Sequence, residues 1–215
     1  MKTKIISLIV FLLAGTAVFV GAKLNVEHKQ EMEIAEAENA KRAMVLKEYE
    51  VARYQLAVEV DNYITSVAPK SCIDPFLMID LCSQYGVDIR FVMAQGQIES
   101  HYATKGTAAK TLSVFNVGAY DGHSASRQRR NGFGYSDPND SIEPYLQLIT
   151  NEYMINGKTE KDLMKNYVNG LGMRYASNPR YEVMLRTVYN RINKRPSFRS
   201  AYENYLELQN KVAIC

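Results

Sequence analysis

At 215 residues and 24.4 kDa the chain has room for one domain of about 130 to 150 residues with appendages, not for two ordinary domains and a linker. With 47% hydrophobic and 23% charged residues, twelve glycines and six prolines, it is neither a disordered acidic chain nor a collagen-like one. A formal net charge of +3 is too small to mark a nucleic-acid binder, and three cysteines cannot form a disulfide framework.

Lys2 and Lys4 precede an apolar run over residues 5–22, interrupted only by Ser7, Gly15, Thr16 and Gly21. The pattern predicts an export or anchoring signal, with the N-terminus in the cytoplasm and everything from Lys23 onward outside. Two forms stay open: a membrane anchor through residues 5–22, or a signal peptide cleaved after Ala22 at the small-residue spacing Val20-Gly21-Ala22. Residues 24–66 contain no Pro or Gly and are rich in Ala, Glu, Lys, Met and Leu, the composition of a long helix. Ala37, Met44, Val51 and Val58 repeat every seven residues, but the positions three later are Ala40, Lys47, Tyr54 and Asp61. Half a coiled-coil seam leaves the oligomeric state open, and the segment reads as a solvated stalk that packs on the domain near its end.

From about Asn62 the pattern changes to short helices with turn signals. Pro69 and Pro75 punctuate, residues 76–84 predict a helix closed by Tyr85-Gly86, and Asp88 opens the next. Along that helix Ile89, Val92, Met93 and Gly96 share the core face, and Glu99 finishes the stripe of Val92 and Gly96. Residues 101–137 are rich in Gly, Ser, Asn and aromatics, with 113–120 and 132–136 as candidate short strands, which suggests a small β-lobe or ordered loops. Asp140 or Ser141 then caps a helix to about residue 156, residues 160–169 predict another, and Pro179 or Arg180 begins one ending at Asn193. The expected fold class is α+β and mostly helical, organised as a signal segment 1–22, a helical stalk 23–61, a domain 62–195 and a helical tail 196–215. Cys72 and Cys82 read either as a bridge in an oxidising compartment or as two buried thiols, and Cys215 as a frayed surface thiol.

A glutamate at the end of an apolar helix is where desolvation and the negative helix terminus both disfavour the ionised carboxyl. A neutral Glu donates a proton, which is what glycoside cleavage needs at the departing sugar oxygen. Val92-Met93-Ala94-Gln95-Gly96-Gln97-Ile98-Glu99-Ser100 resembles the catalytic helix of the glucosaminidase family of peptidoglycan hydrolases, autolysin-type enzymes of lysozyme-like fold. The resemblance continues at Phe115-Asn116-Val117-Gly118-Ala119-Tyr120, at Phe133-Gly134-Tyr135-Ser136 with Asp140-Ser141-Ile142 and Tyr145-Leu146, and at Tyr175-Ala176-Ser177-Asn178-Pro179-Arg180-Tyr181. Four segments in the right order span about residues 60–195. The resemblance implies a hydrolase of N-acetylglucosamine-containing glycan strands, with Glu99 as general acid and Tyr175, Tyr120, Tyr135, Asn116 and Gln95 as substrate-binding residues.

The chain departs from that pattern in two places. His101-Tyr102-Ala103 follows Glu99-Ser100 where the family usually has Gly-Trp-Gly. No Glu lies between Ser100 and Ile142, where many family members carry a second catalytic Glu, so Asp121 and Asp137 are the candidates for that role. A lytic transglycosylase acting on the same polymer, or a non-catalytic wall-binding or assembly protein, are the alternative functions. His101 and His123 have no third ligand at metal spacing, so neither a metal nor a cofactor is expected. Arg127, Arg129 and Arg130 read as a solvated loop rather than a nucleic-acid contact, and Gly132-Phe133-Gly134 as a turn rather than a phosphate cradle.

Overall fold

The computed structural model describes residues 2–117 and 134–214, with side chains from His28 onward. Most of the described chain is helical. Helix α1 (Lys2–Val67) is solvent-exposed all round from residue 28 to 44. Its last third then buries Ala52, Leu56, Ala57, Val60, Tyr63 and Ile64. The same stretch packs along the C-terminal helix, α8 (Pro196–Ile214), whose Phe198, Tyr202, Tyr205 and Leu208 close the apolar seam. Ser197 Oγ donates to Glu59 at 2.7 Å, and the Tyr49 and Tyr205 hydroxyls meet at 3.3 Å. Among the described residues no helix is long and apolar enough to cross a membrane. The apolar run 5–22 falls within the first turns of α1 but precedes the first described side chain, so the side chains of the anchor expected there lie outside the described ones.

Helix α2 (Pro75–Tyr85) starts where Asp74 accepts from the N–H groups of Phe76 and Leu77, and it ends at Gly86 with φ 65°, a left-handed conformation glycine adopts without penalty. Asp88 caps helix α3 (Ile89–Ser100) by accepting from Arg90 N–H at 2.9 Å. Nine of the twelve α3 residues are buried, which makes it the helix the domain is built around. Beyond α3 come α4 (Ala108–Thr111), a 3-10 turn (Pro138–Ser141) leading into α5 (Ile142–Leu148), a π-helical turn (Ile149–Tyr153), α6 (Glu160–Leu163) and α7 (Tyr181–Asn193). The helix expected to run to about residue 156 is therefore three joined pieces. The one expected over 160–169 stops early, where Arg186 Nη1 donates to the Met164 carbonyl.

The expected β-lobe needs correction. Among the described residues no strand forms, and the single β-bridge pairs Val168 with Arg174. Leu112 and Asn116 adopt φ of 55° and 53°, which breaks the pleat a strand over 113–117 would need. Those residues pack as a buried irregular segment instead: Ser100 Oγ donates to the Val114 carbonyl, and Val114 N–H donates to Ser141 Oγ. Tyr135 N–H donates to the Thr111 carbonyl outside any ladder. The remainder of the expected lobe, residues 118–133, lies outside the described residues.

Three successive residues after α3, His101, Tyr102 and Ala103, have φ of 47°, 54° and 63°. The first and third stand where the resemblance would put glycine, and left-handed backbone costs an L-residue roughly 1–2 kcal/mol. His101 is only partly buried and its side chain makes no hydrogen bond among the described residues. Replacing it relieves strain at little loss of packing. His101→Gly should raise stability by about 0.5–1 kcal/mol in urea unfolding, the gain offset in part by glycine's unfolded-state entropy. A loss of similar size would show that the turn is unstrained.

Candidate active site

Glu99 lies in the last turn of α3, half-buried, and both its carboxyl oxygens are held. Tyr181 Oη donates to Oε1 at 2.5 Å, and Asn116 Nδ2 donates to Oε2 and to the Glu99 carbonyl, each at 3.1 Å. Burial pushes the carboxyl above the ordinary glutamate range, and the hydrogen bonds from Tyr181 and Asn116 pull it part of the way back. Burial and the neighbouring Glu99 charge push the Tyr181 phenol well up, so it stays protonated and remains a donor. The group is thus poised to carry a proton in an environment that burial shifts toward the neutral acid.

Local sequence fixes each partner. Tyr181 is the first residue of α7, placed by Asn178, whose Oδ1 accepts from Arg180 N–H and whose carbonyl accepts from Tyr181 N–H. Asn116 reaches back from a left-handed residue, a conformation that asparagine tolerates better than most. Ser100 Oγ donates to the Val114 carbonyl at 2.6 Å and accepts from Ala103 N–H at 2.7 Å, which ties the turn to the 113–117 segment. Gly96 is required by contact, since a Cβ there would meet the Tyr102 ring at 3.1 Å and Val114 Cγ1 at 3.2 Å.

The other expected site residues are distributed as follows. Tyr175 is half-buried, donates from its hydroxyl to the Phe115 carbonyl at 3.0 Å and stacks on Tyr167. Gln95 requires correction as a substrate contact, because it is 0% exposed and its Oε1 accepts from Tyr145 and Tyr167 at 2.6 and 2.9 Å. Asn116 turns its amide to Glu99 rather than outward. Asp137 caps the 3-10 turn, accepting from Asn139 N–H and Nδ2, and Asn139 is bonded in turn to Asp74 N–H and the Cys72 carbonyl. That places Asp137 with the start of α2, with no contact to Glu99. Tyr135 is half-buried against residue 111 and likewise makes no contact with Glu99. Asp121, Tyr120, His123 and the arginines 127, 129 and 130 lie outside the described residues.

The partner that sequence reasoning missed is Tyr181. The signal was present, because Tyr181 closes the same seven-residue motif that Tyr175 opens, and only its place at the start of α7 turns it toward Glu99. Among the described residues no cluster of three or more His, Cys, Asp or Glu side chains forms a metal site. Cys72 is exposed and Cys82 buried, both as free thiols. A cavity of about 330 Å³ bordered by Cys82, Asp88, Glu160, Tyr202 and Tyr205 lies at the opposite end of α3, roughly 16 Å along the helix axis from Glu99.

A carboxyl shifted toward its acid form at the end of a buried helix, steadied by an amide and a phenol, is the equipment of acid-catalysed glycoside cleavage. Residues 77–194, which include Glu99, Asn116, Tyr175 and Tyr181, match the glucosaminidase profile, described as mannosyl-glycoprotein endo-beta-N-acetylglucosaminidase. The chain belongs to the glucosaminidase family. At the level of the family, membership supports a peptidoglycan-hydrolase role. No curated protein matches the chain.

The hydrogen bonds to Glu99 generate a pH prediction. If Glu99 serves as a general acid, it works while protonated, and activity falls as pH rises through its pKa. Tyr181→Phe and Asn116→Ala each remove a donor that favours the ionised form, so each should move this alkaline limb of kcat/KM to higher pH. A limb unmoved in both variants, or moved downward, would detach these residues from the titration of Glu99.

Proposed function

We propose that the chain cleaves glycan strands of peptidoglycan at N-acetylglucosamine-containing linkages, with Glu99 as general acid. The observation that carries this reading is the Glu99 carboxyl itself, half-buried and raised, with Tyr181 and Asn116 fixing both oxygens. In the reaction the Glu99 proton passes to the departing sugar oxygen, and the Glu99 carboxylate left behind is stabilised by the two donors already in place. The developing positive charge on the ring then calls for water activated from the other face. Asp137 is occupied as a cap, which favours Asp121 over it as the base. The substrate's own acetamido group is the other source of assistance.

The same reading places the enzyme outside the cytoplasm, where its polymer is. Lys2, Lys4 and the apolar run 5–22 support delivery through an N-terminal anchor or export signal. Protease added to spheroplasts should then digest the domain, and full protection would refute that topology.

Glu99→Gln keeps the shape of the side chain and removes its transferable proton. Turnover of purified wall should fall by about 10² to 10⁴. Stability should not fall with it. A carboxyl whose folded pKa is raised contributes its full stability below the unfolded pKa and loses it as pH rises through the folded one, so the variant should melt no lower than wild type at neutral pH. Undiminished turnover would remove Glu99 from the chemistry. Product mass separates the reaction types: reducing ends mean hydrolysis, anhydro-sugar ends a transglycosylase, and no products at all from wild-type protein a wall-binding role.

A further inference from the structure

Gln95 lies one helical turn before Glu99 on α3, fully enclosed, and two tyrosine hydroxyls from different elements converge on its Oε1. Tyr145 comes from α5 and Tyr167 from the segment after α6. Its Nε2 is buried without an acceptor. An orphan amide donor costs roughly 1–3 kcal/mol. A leucine or methionine would avoid that cost, so the Oε1 acceptor is what the position retains.

From Gln95 two chains of contact lead back to Glu99. Through Tyr145, the ring stacks on Phe115 at a centroid distance of 3.8 Å and an interplanar angle of 12°, and the next residue is Asn116, which holds Glu99 Oε2. Through Tyr167, the ring stacks on Tyr175 at 4.6 Å and 16°, and the Tyr175 hydroxyl holds the Phe115 carbonyl at 3.0 Å. Tyr167 and Tyr175 also flank Tyr181, with centroids at 6.0 and 5.8 Å, and Tyr181 holds Glu99 Oε1. Both donors to Glu99 therefore rest on rings that Gln95 fixes.

We infer that Gln95 is a positioning residue for Glu99, acting through Tyr145 and Tyr167 to hold Asn116 and Tyr181 in register with the carboxyl. The inference rests on the proposed acid role of Glu99. It also accounts for the choice of an amide at this position. A glutamate would offer the same acceptor atoms but bring a second buried carboxyl within one turn of Glu99, where a like charge favours the neutral acid. Apart from Glu99, the titratable and charged groups that face this network among the described residues are the phenols of Tyr145, Tyr153, Tyr167, Tyr175 and Tyr181, all raised by burial, and the Glu182 carboxylate, which accepts from Tyr167 N–H and is paired with Arg174.

The test uses the full chain and purified peptidoglycan, with Gln95→Met removing the acceptor at similar volume. Loss of register should lower kcat by about 10- to 100-fold with KM within about twofold, since a displacement near 1 Å has effects of this size. The alkaline limb of the pH profile should shift as well. In an Asn116→Ala, Tyr181→Phe background the same substitution should add little, because its route to Glu99 is already cut. Gln95→Glu keeps both tyrosine bonds, so it should fold if Gln95→Met does not, and it should move the alkaline limb to higher pH. If Gln95→Met lowers only the melting temperature, leaves the limb in place and adds fully to the double variant, Gln95 is a packing residue. A folded Gln95→Met protein with undiminished kcat and an unmoved limb overturns the inference equally. Failure of the underlying reading looks different: Glu99→Gln protein would then be as active as wild type.

Discussion

Six tyrosine hydroxyls among the described residues donate to α3 or to its cap. Tyr189 reaches Asp88, Tyr102 the Met93 carbonyl, Tyr145 and Tyr167 the Gln95 amide, Tyr63 the Gln97 amide and Tyr181 the Glu99 carboxyl. A helix with Gln95, Gln97 and Ser100 in its buried face needs internal partners for each polar group, since a buried amide or hydroxyl without one is costly. Phenylalanine would fill the same volume around α3 but leave the Gln95 and Gln97 side-chain carbonyls unpaired. Tyrosine fills the space and supplies the donor.

The same requirement engages six of the fifteen tyrosines in the sequence, which has only seven phenylalanines and no tryptophan. The two ends of the helix are paired differently. At the N-terminal end Asp88 meets a full cation, Arg90, in a bidentate ion pair. At the C-terminal end the carboxyl of Glu99 meets only neutral donors, a phenol and an amide, so burial is not offset by an opposite charge. Two carboxylates flank one helix, and their surroundings differ in kind. Asp88 is paired with a cation, while burial shifts Glu99 toward its acid form.

The helices were legible in the sequence wherever a cap or periodicity marked them. Asp74 and Gly86 bracket α2, Asp88 opens α3, and the Val92, Gly96, Glu99 stripe led to the carboxyl directly. The segment over 113–117 was misread because Ser, Val and Phe in short alternation satisfy a strand pattern as well as a buried loop, and nothing local announces the left-handed Leu112 and Asn116. Gln95 was read as a substrate contact because its role depends on Tyr145 and Tyr167, fifty and seventy-two residues away. Tyr181 escaped for the same reason. Its contact to Glu99 spans eighty-two residues, and only the packing of α7 against α3 brings the pair together.

The family match ends at residue 194, yet the helix that follows is bound into the frame of the site. Arg90, beside the cap of α3, donates to Asp88 and to Asn193 Oδ1 and lies against the rings of Tyr189 on α7 and Tyr202 on α8, at 5.1 and 4.7 Å. The guanidinium thus joins three helices at one end of α3 while the tyrosines join α1, α5 and α7 along the rest of it. Such a joint matters because a proton-transferring group must stay within a few tenths of an ångström of its working position, which only a supported second layer provides. With α8 removed, Arg90 would lose one of its two ring faces and α1 the cover over Leu56 and Val60. The terminal helix is therefore part of the frame that fixes the N-terminal end of α3, the helix that carries Glu99 at its other end.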